Sequence, residues 1–175
     1  MKALKQFSIP FTGLKLGKHQ FEYEIDKSFF DAFEYSLVKD GALKAIVELD
    51  KQETMLILHF EIEGTIQLNC DKCLSEFAQT IEIKERQIVK FAEDNLESDD
   101  LEIIMLGKKE SELDVSELIY EFITVAIPYI NRCEQVNKEC DQEMMATLTK
   151  LASGNTIEEE EQNDDPRWAA LKKLK

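Results

Sequence analysis

The stretch Leu56-Ile-Leu-His-Phe60-Glu-Ile-Glu-Gly64-Thr-Ile-Gln-Leu68-Asn-Cys70-Asp-Lys-Cys73 decides how the rest of the chain is read. Leu56, Leu58, Phe60, Ile62, Ile66 and Leu68 occupy alternate positions, with His59, Glu61, Glu63, Thr65, Gln67 and Asn69 between them. Such alternation describes a strand with one face in a core and the other in water. Only Gly64 interrupts the apolar face, and an isolated strand glycine marks a bulge or a bend. After the cysteine pair a second β-rich run starts at Phe77 and continues through Ile81, Ile83 and Val89. The CxxC pair therefore falls in the tight connection of a long β-hairpin.

Upstream, Phe21, Tyr23 and Ile25 alternate with charged residues, and Leu43, Ala45, Val47 and Leu49 form one face of another strand. Between them Asp26 and Ser28 offer N-caps, and Phe29, Phe30, Phe33 and Leu37 recur at helical spacing. Downstream, residues 93–100 are acidic and without apolar periodicity, which reads as a solvated loop before a short strand through Leu101, Ile103, Ile104 and Leu106. Asp114-Val-Ser-Glu117 fits a capping box ahead of a helix that stops before Pro128. Asp141 can cap a last helix carrying Met144, Met145, Leu148 and Leu151 on one side. The expectation is an α+β fold: a bent or barrel-like antiparallel β-sheet from residues 4–106 with helices near 27–37, 114–127 and 141–152.

Residues 1–152 thus form a single domain. Residues 153–165 contain four consecutive glutamates and two aspartates, a composition that cannot bury enough apolar surface to offset its ordering entropy and predicts a disordered acidic linker. Residues 166–175 predict a short amphipathic helix: Asp165 caps it, Pro166 opens it, Trp168, Leu171 and Leu174 line one side, and lysines close it.

The 175 residues carry a net charge of −15 and are 43 % hydrophobic, which excludes wholesale disorder. The charge is uneven: residues 1–90 hold 12 basic and 15 acidic side chains, residues 91–175 hold 9 and 21. An acidic half repels phosphate, which argues against bare nucleic acid as the main ligand and leaves direct RNA contact open; work on RNA would go through a protein partner or a small local basic patch. No stretch is long and apolar enough to cross a bilayer and the N-terminus lacks a signal pattern, which predicts a cytoplasmic protein.

In a reducing compartment four cysteines read as thiols or metal ligands rather than a disulfide framework. Cys70 and Cys73 have the spacing to share one tetrahedral Zn²⁺. Cys133 and Cys140 are separated by six residues instead of the usual two to four. Three readings stay open: ordinary reduced thiols, a structural zinc site of Cys70 and Cys73 with one or both of Cys133 and Cys140, and dithiol redox chemistry. The last lacks the helix N-terminus that lowers a thiol pKa, since strands flank the pair. There is no Walker loop, GxGxxG, HExxH or GxSxG, no carboxylate couple stands out, and no small-molecule substrate is evident.

The order of these features, from the hairpin with Cys70-Asp-Lys-Cys73-Leu74 through the helix Asp114-Val-Ser-Glu-Leu-Ile-Tyr-Glu-Phe122 to the terminal Asp165-Pro-Arg-Trp-Ala-Ala-Leu-Lys-Lys-Leu174, resembles the YceD family. That family is named for accumulation of the large ribosomal RNA subunit. Many members carry a tighter, glycine-containing distal cysteine cluster than Cys133 and Cys140 form here. The resemblance implies a non-enzymatic role in accumulation or processing of large-subunit ribosomal RNA. The expected activity is an acidic adaptor for a basic ribosomal protein or for the pre-ribosomal large subunit. Asp165, Pro166, Arg167, Trp168, Leu171, Lys172, Lys173 and Leu174 would meet the partner, with apolar anchors and cations side by side. The alternative is a free-standing zinc-binding or thiol-redox protein unrelated to ribosomes, and an RNA-processing nuclease comes third.

Overall fold

The computed structural model describes residues 4–92, 103–107 and 109–154. In chain order the elements are β1 (Ser8–Ile9), β2 (Gly17–Ile25), α1 (Lys27–Phe30), β3 (Gly41–Lys51), β4 (Met55–Asn69), β5 (Glu76–Ala92), β6 (Ile103–Gly107), β7 (Leu113–Asp114), α2 (Ser116–Val125) and α3 (Gln142–Gly154). Among the described residues the main sheet has the order β2-β3-β4-β5-β6, and β1 pairs with β7 in a small separate ladder. The fold is α+β, mostly strand, with a sheet that does not close into a barrel.

The alternating residues of β4 behave as their pattern demands. Leu56, Leu58, Phe60, Ile62, Ile66 and Leu68 are all buried, and each such side chain taken out of water is worth roughly 1.5–3 kcal/mol. Facing them across the ladders are Leu43, Ala45, Val47 and Leu49 of β3 and Ile81, Ile83 and Val89 of β5. The apolar face is covered by Leu118, Ile119 and Ile123 of α2, with the Phe60 and Phe122 rings 5.1 Å apart, and by Phe7, Ile9 and Phe29 from the N-terminal part. The Lys51 ammonium fastens that N-terminal part by donating to the carbonyls of Phe11 at 2.7 Å and Leu14 at 2.8 Å.

Three sequence expectations need correction. The helix expected over 27–37 ends at Phe30 and continues as turns, with the amides of Ala32, Phe33 and Ser36 each bonded three residues back. Its Phe, Asp, Tyr and Ser residues are indifferent helix formers, and ring packing wins: Phe29 meets Phe7 at 4.9 Å, while Phe33 lies flat on Tyr120 at 4.0 Å. The sheet is not wholly antiparallel, because β6 runs parallel to β5. Parallel neighbours are not joined by a tight turn, so the alternation read along the chain does not reveal the direction of β6. The capping box before α2 does not form as read: Asp114 lies in β7, its carboxylate accepts from the Ser116 amide at 2.8 Å, and the helix starts at Ser116. The cap of α3 does form, with Asp141 accepting from the Met144 amide at 2.8 Å.

Gly64 is where the sheet tolerates no side chain. Its φ of 146° lies in a region that favours glycine, and a Cβ there would sit 2.3 Å from the Ala42 carbonyl oxygen and 2.6 Å from Leu43 Cα. We expect Gly64→Ala to lower unfolding stability by about 2–3 kcal/mol in a urea titration, because both the dihedral and the contact with β3 must yield. A loss below ~0.5 kcal/mol would show that the strand can relax around the added methyl group.

Candidate metal centre

The β4–β5 hairpin is closed by a turn that turns two thiols inward. The Cys70 amide donates to the Ser75 carbonyl at 3.0 Å and the Leu74 amide to the Cys70 carbonyl at 2.9 Å, giving the compact loop Cys70-Asp-Lys-Cys73-Leu74. Leu74 closes the loop in the left-handed conformation, φ 60°, and its side chain faces solvent. Such a dihedral costs a residue with a Cβ roughly 1–2 kcal/mol, a cost that other contacts in the loop must offset.

Those contacts come from a segment some sixty residues away. The Asp71 amide donates to the Asn131 carbonyl at 2.8 Å, and the Asn131 amide donates to the Asp71 carboxylate at 2.7 Å. The Lys138 ammonium reaches the Glu76 carbonyl at 2.6 Å, and Lys72 pairs with Glu134 at 3.5 Å. Between these ties a 3-10 turn, Cys133–Val136, is ended by Asn137 at φ 55°, which bends the chain so that Cys140 returns towards Cys133. The six-residue spacing is therefore no obstacle. The usual two to four residues describe a single tight knuckle, whereas here a 3-10 turn followed by a left-handed residue takes up the extra length.

All four sulfurs, of Cys70, Cys73, Cys133 and Cys140, lie within 4.8 Å of one another. Cys73 and Cys133 are 3.7 Å apart. Four thiolates at ~2.3 Å from a tetrahedral ion would stand about 3.8 Å from each other, so the donor set fits a closed tetrahedral site with little movement. Cys70, Cys73 and Cys133 are buried, and Cys140 is half-buried at the rim. An all-thiolate set of this geometry selects a borderline-soft divalent ion over a hard one. Such an ion would act as a structural cross-link, since four protein ligands leave no position for substrate.

The surroundings already favour anionic sulfur at the hairpin. The Ser75 hydroxyl, 2.9 Å from Cys73, and the amides of Asp141 and Ser75 pull the Cys73 thiol down to about 6. Cys70 also lies below the ordinary thiol range: burial opposes its ionisation, but the amides of Cys133, Cys73 and Lys72 together outweigh it. Cys140 is pushed up to about 12, by desolvation first and by its sulfur neighbours second. Cys133 is raised too; the Ser75 hydroxyl favours its thiolate, but desolvation and the neighbouring sulfurs prevail. Ser75 and Asn131 escaped the sequence reading, because a serine after a CxxC and a distant asparagine carry no periodic signal. The partner residues expected over 165–174 lie outside the described residues.

A family model described as large ribosomal RNA subunit accumulation protein YceD matches residues 58–175, a span that includes most of the hairpin, all four cysteines and the terminal motif. Comparison with curated proteins and with solved structures gives no match.

Protein purified without chelator should hold about one soft divalent ion per chain, and Cys73→Ser should cut that occupancy by about tenfold or more, read by elemental analysis. Binding should release protons and weaken as pH falls: thiols must ionise to ligate, and Cys133 and Cys140 are held protonated at neutral pH in the metal-free protein. Calorimetry in buffers of different ionisation enthalpy reads that release. A pH-independent affinity would contradict thiolate ligation.

Proposed function

Because the chain belongs to the YceD family of large ribosomal RNA subunit accumulation proteins, we propose that it supports accumulation of large-subunit ribosomal RNA as a non-enzymatic, acidic adaptor that binds a basic ribosomal protein during assembly. The observation that carries the adaptor reading is charge. Of the net −15, the stretch 91–175 contributes −12, from 9 basic and 21 acidic side chains. The solvent face of the sheet adds a row of Glu24, Glu63 and Glu82 around Lys44, lining an open groove of about 620 Å³ that Asp26 also borders. A surface of this sign attracts a lysine- and arginine-rich protein and repels the phosphate backbone, so the adaptor can hold such a protein until RNA competes for it.

In this reading the four thiolates take Zn²⁺ as a structural ion that holds the segment 128–141 against the hairpin. The terminal residues Arg167, Trp168, Leu171, Lys172, Lys173 and Leu174, with Asp165 and Pro166 opening the motif, act as a second contact with the assembling particle. They combine an apolar anchor with phosphate-seeking cations, and the acidic run before them serves as a tether. Among the described residues no helix is long and apolar enough to cross a membrane. The cytoplasm, where ribosomal proteins meet RNA, is the compartment this function requires.

Depletion of the protein should lower the ratio of large to small subunits in a sucrose gradient together with the level of large-subunit ribosomal RNA. Unchanged ratios and RNA levels would count decisively against the assembly role. Deletion of residues 166–175 should weaken association with pre-ribosomal particles while leaving the thermal unfolding of the body unchanged; equal binding, or a much lower melting temperature, would refute the tail as a separate anchor.

A further inference from the structure

The four sulfurs of the thiolate centre are not equivalent. The hairpin pair is enclosed: Cys70 and Cys73 are buried, and the Ser75 hydroxyl lies 2.9 Å from the Cys73 sulfur. Cys133 is fully buried and takes the Ser75 hydroxyl at 3.5 Å, while Cys140 meets the other sulfurs and is the one cysteine of the four that is not buried. Hydrogen bonds to a thiolate draw electron density from sulfur and lower its nucleophilicity, and burial blocks access. Both effects protect Cys73 and Cys133, burial protects Cys70, and Cys140 is the least shielded of the four.

Building on the metal-binding reading, we propose that Cys140 is an oxidation site through which hydrogen peroxide opens the centre, with Cys133 as the resolving thiol. The Cys140 thiolate attacks the peroxide O–O bond, takes one oxygen to become a sulfenic acid and releases hydroxide. The Cys133 thiolate then attacks the Cys140 sulfur, forms the Cys133–Cys140 disulfide and releases a second hydroxide. Two electrons pass from the two sulfurs to the peroxide, and the two hydroxides take up two protons to leave as water. Two thiolates then remain for the ion, too few for a tetrahedral site.

The structural consequence falls on α3. Cys140 and Asp141 stand immediately before this helix, Met144 and Met145 are only partly buried, and Leu148 and Leu151 are 40 % and 65 % exposed. With so little apolar contact of its own, α3 depends on the centre for its position. Oxidation would thus loosen α3 from the body.

The full-length protein, its zinc content measured first, is treated with limiting iodoacetamide and, separately, with hydrogen peroxide in the presence of a chromogenic chelator. Peptide mass spectrometry should find Cys140 alkylated first and a Cys133–Cys140 disulfide after peroxide. Cys140→His, which keeps a fourth ligand but removes the accessible sulfur, should retain zinc and release it to peroxide about tenfold more slowly or better. Labelling spread evenly, labelling of Cys73 first, a Cys73–Cys140 disulfide, or a Cys140→His protein that loses zinc as fast as the parent would each overturn the proposal while leaving the metal site standing. A chain purified without any bound metal would overturn both.

Discussion

The ladder between β4 and β5, running from Met55 opposite Lys90 to Asn69 opposite Glu76, sets the side of the sheet that every residue of the hairpin takes. Its side-chain period is two, so a slip of one residue would carry Leu56, Leu58, Phe60, Ile62, Ile66 and Leu68 from the core into water. The same register delivers Cys70 and Cys73 to the tip with their sulfurs directed at the segment that brings Cys133 and Cys140. The core and the candidate metal centre are thus two outcomes of one constraint. The glycine at position 64 belongs to it as well, because only a residue without a side chain lets β4 pass so close to the backbone of β3 at Ala42 and Leu43.

Much of this was legible in the residues because it is local. Alternation gave β3, β4 and β5, the turn gave the cysteine hairpin, and a carboxylate before a periodic run gave the start of α3. The errors arose where distant packing decides. Phe33 abandons a helix to stack on Tyr120, nearly ninety positions later, and no pattern within 27–37 announces that partner. The direction of β6 depends on how the chain crosses back over the sheet, which short-range alternation does not encode. The closure of Cys133 and Cys140 onto the hairpin rests on Asn137 in a left-handed turn and on the paired hydrogen bonds between Asp71 and Asn131. These are ordinary residues whose role exists only in three dimensions.

Charge and thiol chemistry divide the molecule into two regions with different tasks. The solvent face of the sheet offers carboxylates in rows, with exposed pairs such as Lys18 to Glu48 and Lys44 to Glu22 that contribute little to stability and leave the face free to meet cations. The hairpin tip is organised by amides and by the Ser75 hydroxyl to hold sulfur as an anion. A basic partner and a divalent cation are both recognised by negative groups, but the carboxylates remain hydrated while the thiolates sit in a largely dry cluster. The two kinds of negative group therefore suit different cations.

Cys73 and Cys133 stand sixty positions apart, so the thiolate cluster ties a long loop. Bringing such ends together costs about 4 kcal/mol of chain entropy in an unfolded chain, a cost that the fold between them and a bound ion would meet jointly. Strands β5, β6 and β7 and helix α2 all lie within this loop. The four ligands are therefore all present only once the chain has been made as far as Cys140.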